Sequence, residues 1–145
     1  RTSKIRLNLV GHRMGDVGYL DHDGQLYFCG RKAHAVRTLD RVYYSIPTKS
    51  IFNAHQKVRR SALVAIRNGH DRPGIVIEPH PQFWPETEEA RRRFELELRA
   101  IAQGNQLTTS IEAIYFHPSF PVDGRHNAKI FRDQLGEWAT KIKRD

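Results

Sequence analysis

Cysteine is almost absent from this chain. Cys29 alone excludes an internal disulfide and a four-cysteine zinc site, and it suits a reducing, cytoplasmic compartment. Long apolar runs are missing too: the longest, Ala62 to Ile66, falls far short of the roughly 20 residues a membrane helix needs. No charged, apolar and small-residue succession of the signal-peptide kind opens the sequence. The eight histidines show no His-x-x-x-His spacing and there is no Cys-x-x-Cys, so no metal site is expected. Gly-x-Ser-x-Gly and Gly-x-x-x-x-Gly-Lys-Ser/Thr are also lacking, which sets aside serine-hydrolase and P-loop chemistry. The first residue is Arg1 rather than methionine, and a piece of a longer protein is expected.

What is present describes a folded, water-soluble chain. Its 145 residues suit one domain of roughly 100–200 residues, with 39% hydrophobic and 28% charged residues. Lys and Arg outnumber Asp and Glu by 24 − 16 = 8. Such a balance fits a nucleic-acid or anionic-membrane binder, or a domain that meets a phosphorylated ligand. The distribution favours the last. The densest cluster, Arg91 to Arg93, is flanked by Glu86, Glu88, Glu89, Glu95 and Glu97 at spacings that pair charges along a solvated helix face. No basic, glycine and aromatic string of the RNA-binding type appears. A basic α+β nucleic-acid-binding module is the alternative of a different class, and a steep salt dependence of duplex affinity would mark it.

Apolar periodicity predicts a helix from Thr87 to Gln103, carried by Ala90, Phe94, Leu98 and Ile101. A second runs from about Ala128 to Lys143, carried by Phe131, Leu135, Trp138 and Ile142, with Asn127 as N-cap. A shorter one is expected from Thr48 to His55. Strand-like runs are Leu26 to Cys29, Ala33 to Arg37, Val42 to Ile46, Ala62 to Ile66, Ile75 to Ile77 and Ile111 to Phe116. Asp23-Gly24 signals a turn, and Leu39 to Arg41 turns a hairpin between Val36 and Val42. The order from Pro47 onward, helix, strand, strand, helix, strand, helix, defines an α+β domain: a small mixed sheet with a β-hairpin and about three helices. Arg1 to Val10 reads as a basic strand with no partner in this chain, the end of a preceding domain.

Three clusters carry chemistry. In Gly11 to Tyr19, three glycines surround Asp16 and let the backbone approach a ligand closely, while the carboxylate can accept from two neighbouring hydroxyls. Ordinary turn chemistry would give the same pattern. Phe28-Cys29-Gly30-Arg31-Lys32 ends a strand in a glycine and two cations, and the planar fork of Arg31 suits a sugar-phosphate edge. Phe120 to Arg132 is a turn-rich stretch that delivers Lys129 to the opening of the last helix, where the helix dipole disfavours a cation. A phosphate held by the ammonium and the free backbone N–H groups would offset that. Cys29, in an apolar strand, reads as a small core residue.

In order and content these clusters resemble the adenylate-forming superfamily of acyl-CoA synthetases, adenylation domains and luciferases. Met14 to Tyr19, with the turn at Asp21 to Gly24, is similar to its Thr-Gly-Asp-x-Gly motif. Gly30-Arg31 is similar to its interdomain hinge, and Ala128-Lys129-Ile130-Phe131-Arg132 with Leu135 to its terminal Gly-Lys-Ile-x-Arg-x-x-Leu motif. The resemblance implies a C-terminal lid domain over residues 30–145 and, in residues 1–29, the tail of an N-terminal adenylation domain. It implies that Asp16 binds ribose hydroxyls, that Arg31 contacts the nucleotide, that Arg31, Lys32 and Ala33 form the hinge, and that Lys129 is catalytic. ATP and Mg²⁺ are the implied cofactors, bound mainly by the N-terminal domain, the implied partner of this one.

Phe28 to His34 and Phe120 to Arg132 further resemble the β-lactone synthetases of bacterial long-chain olefin biosynthesis. These adenylate a 2-alkyl-3-hydroxy fatty acid and let its own hydroxyl displace AMP. Departures from the superfamily pattern agree: Ala33 at a hinge position usually Asp or Lys, no glycine between Val36 and Pro47, Lys49 where relatives carry glutamate, and Ala128 before the lysine. A long-chain fatty acyl-CoA or acyl-AMP ligase is the alternative within the class. A greasy substrate and the basic charge point to peripheral association with a membrane or with a pathway enzyme.

Overall fold

The computed structural model describes residues 8–11, 16–20, 23, 25–31, 34–121 and 132–142. Within them the chain forms three sheets and three α-helices. Strands β1 (Asn8–Gly11), β2 (Asp16–Leu20) and β3 (Leu26–Arg31) make an antiparallel meander. The first strand therefore has a partner in this chain, contrary to the expectation for Arg1 to Val10: Asn8 pairs with Leu20 and Gly11 with Val17. The glycine-rich stretch that reads as a turn enters β2 at Asp16, because alternating side chains on a sheet tolerate Gly18 where neighbours close over it. Strands β4 (Val36–Arg37) and β5 (Val42–Tyr43) form the expected short hairpin. Its turn is held by Thr38, whose N–H donates to Arg41 O at 2.8 Å and whose hydroxyl donates to Asp40 Oδ1 at 2.9 Å.

Helix α1 (Ser45–Asn53) begins three residues before the expected start at Thr48 and ends two before His55. Pro47 reads as a boundary, yet a proline costs nothing in a first turn, where its missing N–H would have no helical partner. The Thr48 hydroxyl donates to Tyr44 O at 2.7 Å and ties that turn down.

The third sheet carries the core. Strands β6 (Val58–Asn68) and β7 (His70–Pro79) form a long hairpin, and β8 (Ala113–Phe116) joins β7 in parallel after the crossover helix α2 (Glu88–Gln103). The order β6-β7-β8 is the expected mixed sheet. Gly69, at φ 89°, makes the hairpin apex in a conformation that other residues rarely adopt. Both faces are buried, which is why the strands read as apolar runs. Leu63, Ile75, Ile77 and Ile114 face Phe52 of α1 and Phe94, Leu98 and Ala102 of α2. Ala62, Val64, Ile66, Val76, Ala113 and Tyr115 face Leu135 and Ala139 of α3 (Arg132–Lys141) together with Phe120. Each fully buried aliphatic or aromatic side chain contributes about 1.5–3 kcal/mol relative to exposure, so this two-sided sheet is where the stability resides.

Thr87 caps α2 by accepting from Ala90 N at 3.0 Å. Ala90 itself is exposed, and Ala102 takes the core place expected of Ile101, because the buried stripe drifts around the helix over four turns. Arg91 pairs with Glu88 and Glu95, and Arg93 with Glu89. The basic cluster is thus internally neutralised on an exposed face. The expected start of the last helix, Asn127 to Phe131, lies outside the described residues.

Candidate functional site

Two of the residues singled out from sequence share one rung of a ladder. Asp16 opens β2 and Arg31 closes β3, and their backbones are direct partners in the antiparallel register. The next rung, Val17 with Gly30, is followed by a register shift between Val17 and Gly18. Such a bulge turns the strand and re-aims the side chains beyond it.

Gly30 explains why that rung ends where it does. Its φ is 121°, and a Cβ there would collide with the Ser45 hydroxyl and lie 3.6 Å from Ile46 Cγ1. The first turn of α1 therefore sits directly on the backbone of Gly30, and Arg31 leaves the sheet from a fixed point. Cys29, one residue earlier, is 2% exposed, and burial pushes its thiol pKa up. It is a core residue as expected, and a poor nucleophile.

Lys32, Ala33 and Lys129 lie outside the described residues. The described residues resume at His34, and the segment that contains Lys129 is bounded by Pro121 and Arg132. Both approaches to that segment are anchored. Glu78, 1% exposed at the end of β7, accepts from Phe120 N at 2.7 Å and from Arg60 Nε at 2.9 Å, and lies 3.2 Å from Arg59 Nη1. The Arg60 guanidinium stands 5.3 Å over the Phe120 ring. On the far side, the His117 ring packs edge-on against Trp138 of α3 at 4.7 Å and against Phe120 at 6.1 Å. Burial lowers the His117 pKa, with Glu78 opposing. This anchor was missed from sequence. Its one signal was an acidic residue closing the apolar run Ile75-Val76-Ile77, with Arg59-Arg60 ahead of the preceding one.

Between residues 34–36, β6 and α3 lies a cavity of about 500 Å³ reached by His34, Arg67, Arg132 and Lys141. Among the described residues no group of three or more His, Cys, Asp or Glu could hold a metal ion. No helix there is long and apolar enough to cross a membrane. The cavity thus carries cationic groups together with the carboxylates of Asp133 and Glu137.

No protein-family profile matches the chain. Over 133 residues it is 43% identical to the olefin β-lactone synthetase of Xanthomonas campestris pv. campestris, covering 91% of this chain and 23% of that protein. It is 40% identical over 134 residues to the olefin β-lactone synthetase of Stenotrophomonas maltophilia K279a, covering 90% and 23%. Among solved structures, the anthranilate CoA ligase AuaEII in complex with anthranoyl-AMP superposes with a TM-score of 0.70 at 19% identity, over 86% of this chain and 23% of that one. The fold is thus that of the C-terminal domain in structures of adenylate-forming enzymes. In sequence it is similar to the olefin β-lactone synthetases, of whose length it spans about a quarter.

Proposed function

We propose that this chain is the lid of an ATP-dependent ligase that converts a 2-alkyl-3-hydroxy fatty acid to a β-lactone, releasing pyrophosphate and AMP. The observation that carries the reading is the 43% identity to an olefin β-lactone synthetase across nine-tenths of the chain. Residues 1–29 close the preceding adenylation domain, and residues 30–145 form the lid, with the boundary where Gly30 meets α1. The protein works in the cytoplasm, and the isolated chain is inactive because it lacks the rest of the nucleotide and acyl sites.

In the first step a carboxylate oxygen of the acid attacks the α-phosphorus of ATP and pyrophosphate leaves. Lys129 neutralises charge building on the α-phosphate and carboxylate. Asp16 accepts from the ribose hydroxyls and Arg31 contacts the same nucleotide, a division of labour suited to two residues on one ladder rung. Mg²⁺ bound with ATP would offset the phosphate charge, and the preceding domain would supply most of its ligands. In the second step the 3-hydroxyl oxygen attacks the acyl carbon, AMP leaves, and the hydroxyl proton is lost. The nucleophile belongs to the substrate, so no channel for a thiol is needed. Ala33 at the hinge and the glycine-free stretch from Val36 to Pro47 accord with that.

Lys129→Ala in the full-length parent is expected to slow adenylation by about 10²–10³, the usual loss for one preorganised charge-stabilising group. Pyrophosphate release measured before lactone formation reads this step. An unchanged rate would remove Lys129 from the chemistry.

A further inference from the structure

Lys49 and Arg132 are two cations with no counter-ion among the described residues. Lys49 sits on α1 and is half-buried, and Arg132 opens α3 on the other face of the sheet. Both helices lie along β6, the edge strand. Asn53 accepts from the Ser61 hydroxyl at 2.7 Å, and a Cβ on Gly136 would lie 3.3 Å from Ala65 O. One helical turn back from each contact, Lys49 and Arg132 approach the same stretch of that strand from its two sides. Burial, and then the nearby Arg132 charge, lower the Lys49 pKa, while burial lowers that of Arg132. No carboxylate of a described residue pairs with either cation. Arg132 Nε is wholly buried with no hydrogen-bond partner among the described residues.

Leaving a guanidinium N–H dry and unpaired beside a second cation is costly, and folded proteins retain such an arrangement where something else completes it. Open space adjoins the arginine, though Lys49 is not among the residues that line it. Arg132 lines the 500 Å³ cavity with His34, Arg67 and Lys141, and the exposed Asp133 and Glu137 also border it. A single carboxylate would neutralise one of the two charges. A phosphate dianion neutralises both, and its tetrahedral oxygens can take the arginine fork and the lysine ammonium together.

We propose that Lys49 and Arg132 form a binding site for a phosphate-class oxyanion, either free phosphate or pyrophosphate or the phosphate of a nucleotide. The site stands apart from the roles given to Asp16, Arg31 and Lys129, and does not depend on them.

The test is thermal unfolding of the full-length parent in chloride buffer, then with inorganic phosphate, pyrophosphate or AMP added. It is repeated for Lys49→Met and Lys49→Glu. Ligand bound elsewhere in the parent stabilises all three proteins alike, so the readout is the part of the saturable rise in Tm that depends on Lys49. Both variants are expected to melt higher than the parent without added anion, since a buried repulsion is gone, and to lose a few degrees of the phosphate-induced rise. A Lys49-dependent rise with phosphate or pyrophosphate identifies the free anion, and one confined to AMP identifies a nucleotide phosphate. Equal rises in all three proteins would overturn the proposal. So would a lower Tm for both variants without added anion, because it would show that a carboxylate of the parent already neutralises the pair.

Discussion

His117 illustrates how one side chain can report on the anchored segment. Its ring is enclosed by Phe120 and Trp138, with the Glu78 carboxylate and the Arg60 guanidinium on the adjoining strands. Burial outweighs the attraction of Glu78 and lowers its pKa below the ordinary 6.5. The unfolded chain therefore binds a proton that the folded chain resists. Stability supplied here is complete at neutral pH and is lost as pH falls from 6.5 through the folded value. His117→Asn is expected to flatten that part of the stability–pH curve, measured by urea unfolding between pH 7 and the acid limit of folding (about 5). A variant that keeps the same slope would place the titration elsewhere. Lys49 shows the same sign at the alkaline end, where losing its proton relieves first the cost of burying its charge and then the repulsion from Arg132. Neither effect is legible in the sequence, because both depend on which chains close over the side chain, and a lone histidine or lysine carries no mark of that.

Elements were legible in proportion to how local their causes are. Helix α2 is written in its own residues: Thr87 as cap, Phe94 and Leu98 four apart, and Gly104 at the end. The β6–β7 hairpin was visible only in its apolar centres, Ala62 to Ile66 and Ile75 to Ile77. Its polar ends, Val58 to Ser61 and His70 to Arg72, are strand because the partner strand pairs with them. Pairing of β1 with β2 was missed for the same reason: a basic strand shows no apolar alternation by which to place it. Glu78 belongs to this scale, since it binds β6 through Arg60 and Arg59 and fixes the chain at Phe120. Glu78→Gln is expected to cost about 1.5–3 kcal/mol, the range for hydrogen bonds to a charged group. The larger penalty of a fully buried pair does not apply, because the Arg59 and Arg60 side chains are 54% and 23% exposed and stay hydrated. A chemical denaturation midpoint equal to the parent's would contradict the clamp.

For the whole molecule, the α+β class, the order of elements and the fold shared with C-terminal domains of adenylate-forming enzymes were all within reach of the sequence. Cluster order carried that resemblance, and the mixed sheet between helices has the fold it implies. The site was legible only in part. Asp16 and Arg31 were picked out separately, and the ladder brings their backbones together; the Glu78 anchor and the Lys49–Arg132 pair emerged only from packing. The chain spans about a quarter of the length of the relatives it matches, and in the function proposed above it brings the hinge and Lys129 to ATP and the acid, which are met jointly with the preceding domain.

The most direct measurement uses the full-length parent with ATP, Mg²⁺ and a long-chain 2-alkyl-3-hydroxy acid, CoA being left out, and tracks product by NMR and mass spectrometry. The account predicts β-lactone and AMP in equal amounts. Product that forms only when CoA is supplied, with an acyl thioester in place of the lactone, would contradict it.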